Sequence, residues 1–148
     1  WIPFHQLSFK LGFPFPYFLR RHKEREKRKK PMVGFLTTHV LDTAKGCPAA
    51  GIKIELYEVF GDKKNKLIEL VTNADGRTES PILPKDSFAL GTYELIFHAG
   101  DYLRKTGQVT EVTLFIDRVP IQFGMSQDNH YHVPLLLSAH GYSTYRGS

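Results

Sequence analysis

Cysteine is almost absent from this 148-residue chain, where Cys47 stands alone. No intrachain disulfide can form, and a zinc site built on cysteines is excluded. A single thiol fits a reducing compartment. Nowhere do eighteen apolar residues follow one another, so no segment reads as a membrane-spanning helix. Missing too are a phosphate-cradling glycine loop and a Ser-His-Asp set placed by a nucleophile elbow. The formal net charge of +5 misleads until it is divided. Residues 20–30 carry eight Lys/Arg and two Glu, and Lys10 adds one more positive charge. Residues 31–148 carry eleven Lys/Arg against thirteen Asp/Glu, a net of −2. The domain surface therefore gives no support to nucleic-acid binding.

The first stretch has its own composition. Residues 1–19 are rich in aromatics (Trp1, Phe4, Phe9, Phe13, Phe15, Tyr17, Phe18), and Pro3, Pro14 and Pro16 break any helix there. A secretory signal runs basic, then apolar, then small; here the basic run follows the apolar one. Residues 1–31 read as an N-terminal extension, aromatic then basic, disordered or not native to the domain. Met32 stands where a chain consisting of residues 32–148 alone would begin. The alternative is an anchor to a membrane surface or an acidic partner, with aromatics beside a basic patch.

From Phe35 the pattern is that of strands. Phe35-Leu-Thr-Thr-His-Val-Leu41 alternates and is rich in β-branched residues. A turn-rich loop, Asp42 to Pro48, leads to Ile52–Phe60, where Ile52, Ile54, Leu56 and the even positions point inward and Lys53 and Glu55 outward. Gly61 to Asn65 reads as a polar hairpin loop, with the returning strand over 66–72. The Asn73-Ala-Asp-Gly76 turn delivers Arg77 to a short strand ending before Pro81. A long connection over 84–90 precedes a strand at Thr92–His98, and Gly100 to Thr106 reads as one short helix. Val109–Ile116 and Ile121–Phe123 read as a single interrupted strand. Seven or eight short strands with one helix indicate an all-β sandwich of two sheets.

Near the end, Tyr131, Val133, Leu135 and Leu137 fall on one side of a strand; His130, His132, Pro134 and Leu136 fall on the other. If the first set forms the core, His132 points to the outer face of its sheet. His39 shares a face with Phe35, Thr37 and Leu41. A Ser-Ala-His-Gly turn and a run Tyr142-Ser-Thr-Tyr145 follow, and Arg146-Gly-Ser148 closes the chain, so the tail is held near whatever that last strand packs against. A sheet face carrying His39, Leu41, His132, Pro134 and Leu136 is apolar for a solvated surface. It is either a patch of a monomer or a surface covered by another subunit.

Four separated motifs carry a resemblance: LTTHVLDTAKGCPAAG (Leu36–Gly51), DGR (Asp75–Arg77), GTYELIFHAGDY (Gly91–Tyr102) and the YHVPLLLS strand (from Tyr131) with its terminal Tyr145-Arg146-Gly147-Ser148. Together they resemble the transthyretin-related 5-hydroxyisourate hydrolases over Met32 to Ser148. The resemblance implies a transthyretin-like sandwich of about eight strands in two four-stranded sheets, with the first and penultimate strands in one sheet. It also implies a homotetramer whose sites lie in a channel between outer sheet faces. The implied activity is hydrolysis of 5-hydroxyisourate to 2-oxo-4-hydroxy-4-carboxy-5-ureidoimidazoline in urate breakdown, with no cofactor or metal, in the cytoplasm or, in a eukaryote, the peroxisome. Ala139 and His140 depart from the family pattern, which has Pro and an aromatic residue in that turn. Pro134, which the family shares, removes a ladder hydrogen bond.

The implied catalytic residues are His39, Arg77, His132 and Ser148, with Tyr145, Arg146 and Gly147 binding substrate. The chemistry suits these types. A neutral imidazole near pH 7 can take a proton from water, and a cation can steady charge growing on a carbonyl oxygen. Which histidine is the base stays open. Three other readings compete: a zinc site on His130, His132 and His39, whose spacing is ligand-like; a small-ligand carrier on the same fold, which would need neither the histidine pair nor the YRGS ending; and an adhesion sandwich, which would not cluster polar groups on one outer face.

Overall fold

The computed structural model describes residues 31–147; residues 1–30 of the N-terminal extension and Ser148 lie outside the described residues. Eight strands form two sheets. They are β1 (Phe35–Asp42), β2 (Cys47–Pro48), β3 (Lys53–Phe60), β4 (Lys63–Val71), β5 (Gly91–His98), β6 (Arg118–Met125), β7 (His130–Ser138) and β8 (Gly141–Thr144), with one helix, α1 (Ala99–Lys105). One sheet runs β2-β1-β7-β8 and the other β4-β3-β5-β6. This is the expected two-sheet sandwich, with the first and penultimate long strands side by side.

The alternation in the sequence sets the layers. Leu36 and Val40 of β1 and Tyr131, Val133, Leu135 and Leu137 of β7 face Ile54 and Leu56 of β3 and Tyr93, Leu95 and Phe97 of β5. All are buried, and together they make the core between the sheets. Burying so many large apolar side chains is the dominant stabilising term, at about 1.5–3 kcal/mol for each. Helix α1 closes one end by packing Tyr102 and Leu103 inward. The Tyr102 hydroxyl donates to Asp42 Oδ2 at 2.7 Å, tying the helix to the end of β1.

Several local expectations are corrected. Residues 109–116 form no strand. The eight residues of β5 are already paired in register with Arg118–Met125, from Gly91↔Met125 to His98↔Arg118, so the place beside β5 is taken. Val112 and Phe115 of that segment are accordingly exposed. The β3–β4 turn is only Gly61-Asp62, because Phe60 already pairs with Lys63, and β4 begins three residues before the expected Lys66. Glu55 points outward as expected, yet it is buried. It is covered by a polar cluster on that outer face: it accepts hydrogen bonds from Tyr57 Oη and, at 2.5 Å, pairs with His98 Nε2, with Lys66 Nζ 3.5 Å away.

Candidate active site

Parallel pairing of β1 with β7 decides where the histidines meet. The register places Phe35 beside His130, Thr37 beside His132, His39 beside Pro134 and Leu41 beside Leu136. Residues paired across a ladder share a face, so this row stands on the outer side of the sheet, opposite the core. His39 and His132 therefore project from adjacent strands onto one surface, offset by one pleat.

Arg77 reaches the same surface from the Asn73–Gly76 turn. Asn73 Oδ1 accepts the backbone N–H groups of Asp75 at 3.0 Å and Arg77 at 3.2 Å, and Asn73 N–H donates to Arg77 O at 2.7 Å. The turn is then clipped to β1 by a 2.8 Å bond from Val40 N–H to Gly76 O, and Arg77 forms an isolated bridge with His39. Gly76 has φ of +70°, and a Cβ there would collide with the Val40 carbonyl, so only glycine allows this close approach. An Asx turn and one glycine thus deliver the guanidinium to the histidines.

Electrostatics favour neutral imidazoles. Burial lowers the pKa of both His39 and His132, and Arg77 lowers each further. His132 is also lowered by His130 and His39, whereas the Asp75 backbone carbonyl opposes the effect at His39. Both rings are therefore held as bases at neutral pH.

The tail returns to this surface through Gly147. Its N–H donates to His132 O at 2.8 Å, and the pair forms an isolated bridge in the same register as Leu135↔Thr144. Pro134, two residues on from His132, turns its nitrogen toward the same edge and has no N–H to give. The ladder is therefore interrupted between Thr144 and Gly147. The Pro134 carbonyl on that edge is satisfied by the Thr144 hydroxyl at 2.8 Å. Gly147 lies flat against the imidazole: a Cβ there would sit 2.6 Å from His132 Cδ2.

Of the expected site residues, the fold brings His39, Arg77, His132 and Gly147 together. Tyr145 is exposed in the interrupted stretch and borders a cavity with Tyr131 and Arg146. Arg146 is not brought to the cluster. Its guanidinium stacks 4.5 Å from the Tyr131 ring centroid, on the core side of the strand, and borders a cavity of about 260 Å³ with Phe123, Val133 and Tyr145. Ser148 lies outside the described residues. His130 and His132, whose spacing admitted zinc, both turn a ring nitrogen to Thr37 Oγ1, at 2.7 and 2.8 Å. Among the described residues no three His, Cys, Asp or Glu side chains are grouped to hold a metal ion. Asn73 and Thr37 were not singled out from sequence. The available signals were an Asn four residues before Arg77 and a Thr on the same strand face as His39.

Residues 36–147 match the model of the HIUase/Transthyretin family. The chain is 55% identical to 5-hydroxyisourate hydrolase 2 of Rhizobium meliloti over 116 residues, covering 78% of this chain and 97% of that protein. Among solved structures, (S)-allantoin synthase superposes with a TM-score of 0.72 at 44% identity, over 78% of this chain but only 44% of that one. Sea bream transthyretin in complex with thyroxine superposes with a TM-score of 0.66 at 25% identity, over 76% of this chain and 93% of that one. Fold and motifs lead to the same place: the chain belongs to the HIUase/Transthyretin family.

Proposed function

We propose that the protein hydrolyses 5-hydroxyisourate to 2-oxo-4-hydroxy-4-carboxy-5-ureidoimidazoline, with His39, Arg77, His132 and Ser148 as catalytic groups. The observation that carries this reading is the convergence of His39, Arg77 and His132 on one outer sheet face, with the tail bonded to His132 through Gly147. A neutral imidazole removes a proton from water as the water oxygen adds to the C6 carbonyl. Arg77 steadies the oxyanion that forms, in the way pre-placed cations do. The C–N bond to that carbon then breaks, the nitrogen takes the proton back from the imidazolium, and the ring opens to a carboxylate. No covalent enzyme intermediate is required. Gly147 lies against His132, Arg146 anchors the tail on Tyr131, and Tyr145 and Gly147 bind substrate with Arg146.

The assembly proposed with this function is a homotetramer in which the β2-β1-β7-β8 sheets meet face to face, burying the half-exposed Leu41 and Leu136 and enclosing the sites. A reducing compartment such as the cytoplasm suits a chain with one thiol. No helix among the described residues is long and apolar enough to cross a membrane. The test is the decay of 5-hydroxyisourate absorbance after a urate oxidase has consumed urate, read with and without the protein. A hydrolase accelerates the decay catalytically; a carrier leaves it unchanged or slows it stoichiometrically. Sedimentation showing a fully active monomer at micromolar concentration would refute the enclosed-site assembly.

A further inference from the structure

Behind His132, away from Arg77, stands a second polar chain that the proposed reaction does not use. Thr37 Oγ1 lies 2.8 Å from His132 Nδ1 and 2.7 Å from His130 Nε2. The His130 ring is fixed in plane by stacking on Phe35, with centroids 4.2 Å apart and planes 12° from parallel. A threonine hydroxyl has one hydrogen to give. It can donate to one of these nitrogens and accept from the other, so the tautomers of the two histidines are linked. If Thr37 donates to His130, it accepts from His132, whose hydrogen is then on Nδ1 and whose Nε2 carries a free lone pair. If Thr37 donates to His132, the hydrogen of that ring sits on Nε2, and a neutral ring cannot act as a base there.

A base at His132 Nε2 needs the first arrangement, in which the Thr37 hydroxyl donates to His130 Nε2 and accepts from His132 Nδ1. Among the described residues, His39, Arg77 and the Gly147 peptide also neighbour His132, and none of these three carries a negative charge. His130 lines a cavity of about 430 Å³ with Asn129, Arg146 and Gly147. Lys85 lies over the Phe35 ring, its Nζ 5.6 Å from the centroid.

We propose that Thr37 and His130 are positioning residues that hold the hydrogen of His132 on Nδ1 and so present its Nε2 lone pair to the attacking water. This rests on the hydrolase reading above for its consequence, but its structural content can be measured separately.

The experiment combines nuclear magnetic resonance with kinetics on the full chain. Long-range proton–nitrogen spectra of protein labelled with ¹⁵N-histidine at pH 8 report which ring nitrogen carries hydrogen, and His132→Asn identifies the His132 signal by its loss. The expected result is an Nδ1–H tautomer in the native protein and in Thr37→Ser. Thr37→Val and His130→Phe, the latter keeping the stack on Phe35, should shift His132 toward Nε2–H. Both should lower kcat at least about tenfold with little change in KM, as a base in the wrong tautomer does. Thr37→Ser should recover most of the rate. A native Nε2–H tautomer, or an unchanged tautomer in both Thr37→Val and His130→Phe, would overturn the proposal. If the native protein shows no hydrolysis at all, the functional reading fails and the spectra still decide the relay.

Discussion

Gly147→Ala isolates the contact between the tail and His132. The glycine has no positive φ, so alanine can adopt its backbone and only space is at issue. The added Cβ would stand 2.6 Å from Cδ2 of His132, 3.1 Å from its Cβ and 3.2 Å from its Cγ. Ordinary contact begins at roughly 3.4 Å and extends to about 4.0 Å between carbons, so ring or tail must retreat by about 1 Å. The backbone bond from Gly147 to His132 resists that retreat on the tail side, and the Thr37 hydroxyl resists it on the ring side. A misplacement of about 1 Å at a reacting group costs on the order of 10²-fold in rate, equivalent to about 2.7 kcal/mol. The cost to folding should be small, because the contact lies at the sheet edge and outside the core between the sheets. Initial rates of 5-hydroxyisourate decay should fall about 10²-fold while the melting temperature changes by less than about 4 °C. A variant within twofold of the native rate would show that the tail does not bear on His132.

Other consequences concern pH. Burial and then Arg77 hold His39 and His132 below the ordinary 6.5, so the acid limb of kcat/KM should fall below that value. Arg77→Met removes a positive neighbour and makes both imidazoles easier to protonate. The limb should move upward in pH, beyond any loss in rate; an unmoved limb would detach Arg77 from the histidines. Away from the site, the Tyr57 hydroxyl draws the Glu55 carboxyl down from 4.5 to about 2, against the opposing effect of burial, with help from His98 and Lys66. A depressed carboxylate stabilises the fold above its unfolded pKa, and that contribution fades as pH falls from about 4.5 toward 2. Glu55→Gln should lower the melting temperature at pH 7 and make its decline over that acid window shallower. Equal declines in both proteins would contradict the assigned role.

Much of this was readable from the chain because strand alternation is a strict period of two. Leu36 and Val40 inward with Thr37 and His39 outward, and Val133 and Leu135 inward with His132 outward, are fixed by counting. The motif resemblance then supplied the pairing of β1 with β7, which alternation alone cannot give. What stayed hidden depends on partners. Val109–Ile116 has strand-like residues but no free ladder beside β5. Glu55 lies on the outward side but is buried because Tyr57, His98 and Lys66 close over it. Arg146 belongs to the tail motif, yet the register of that tail sends it to the Tyr131 side. The Thr37 link between His130 and His132 follows from a parallel register, and no spacing within one strand reveals it.

The central claim is that His39 and His132 act on one water at a shared face. It is tested most directly by the decay rate of 5-hydroxyisourate with His39→Asn, His132→Asn and the double variant, each checked for native melting. Each single change should cost about 10²–10⁴-fold, the range for general acid–base catalysis. The double variant should lose little beyond the worse single one, because groups acting as a unit are not additive. Losses that multiply in full, or single variants with native rates, would contradict the account.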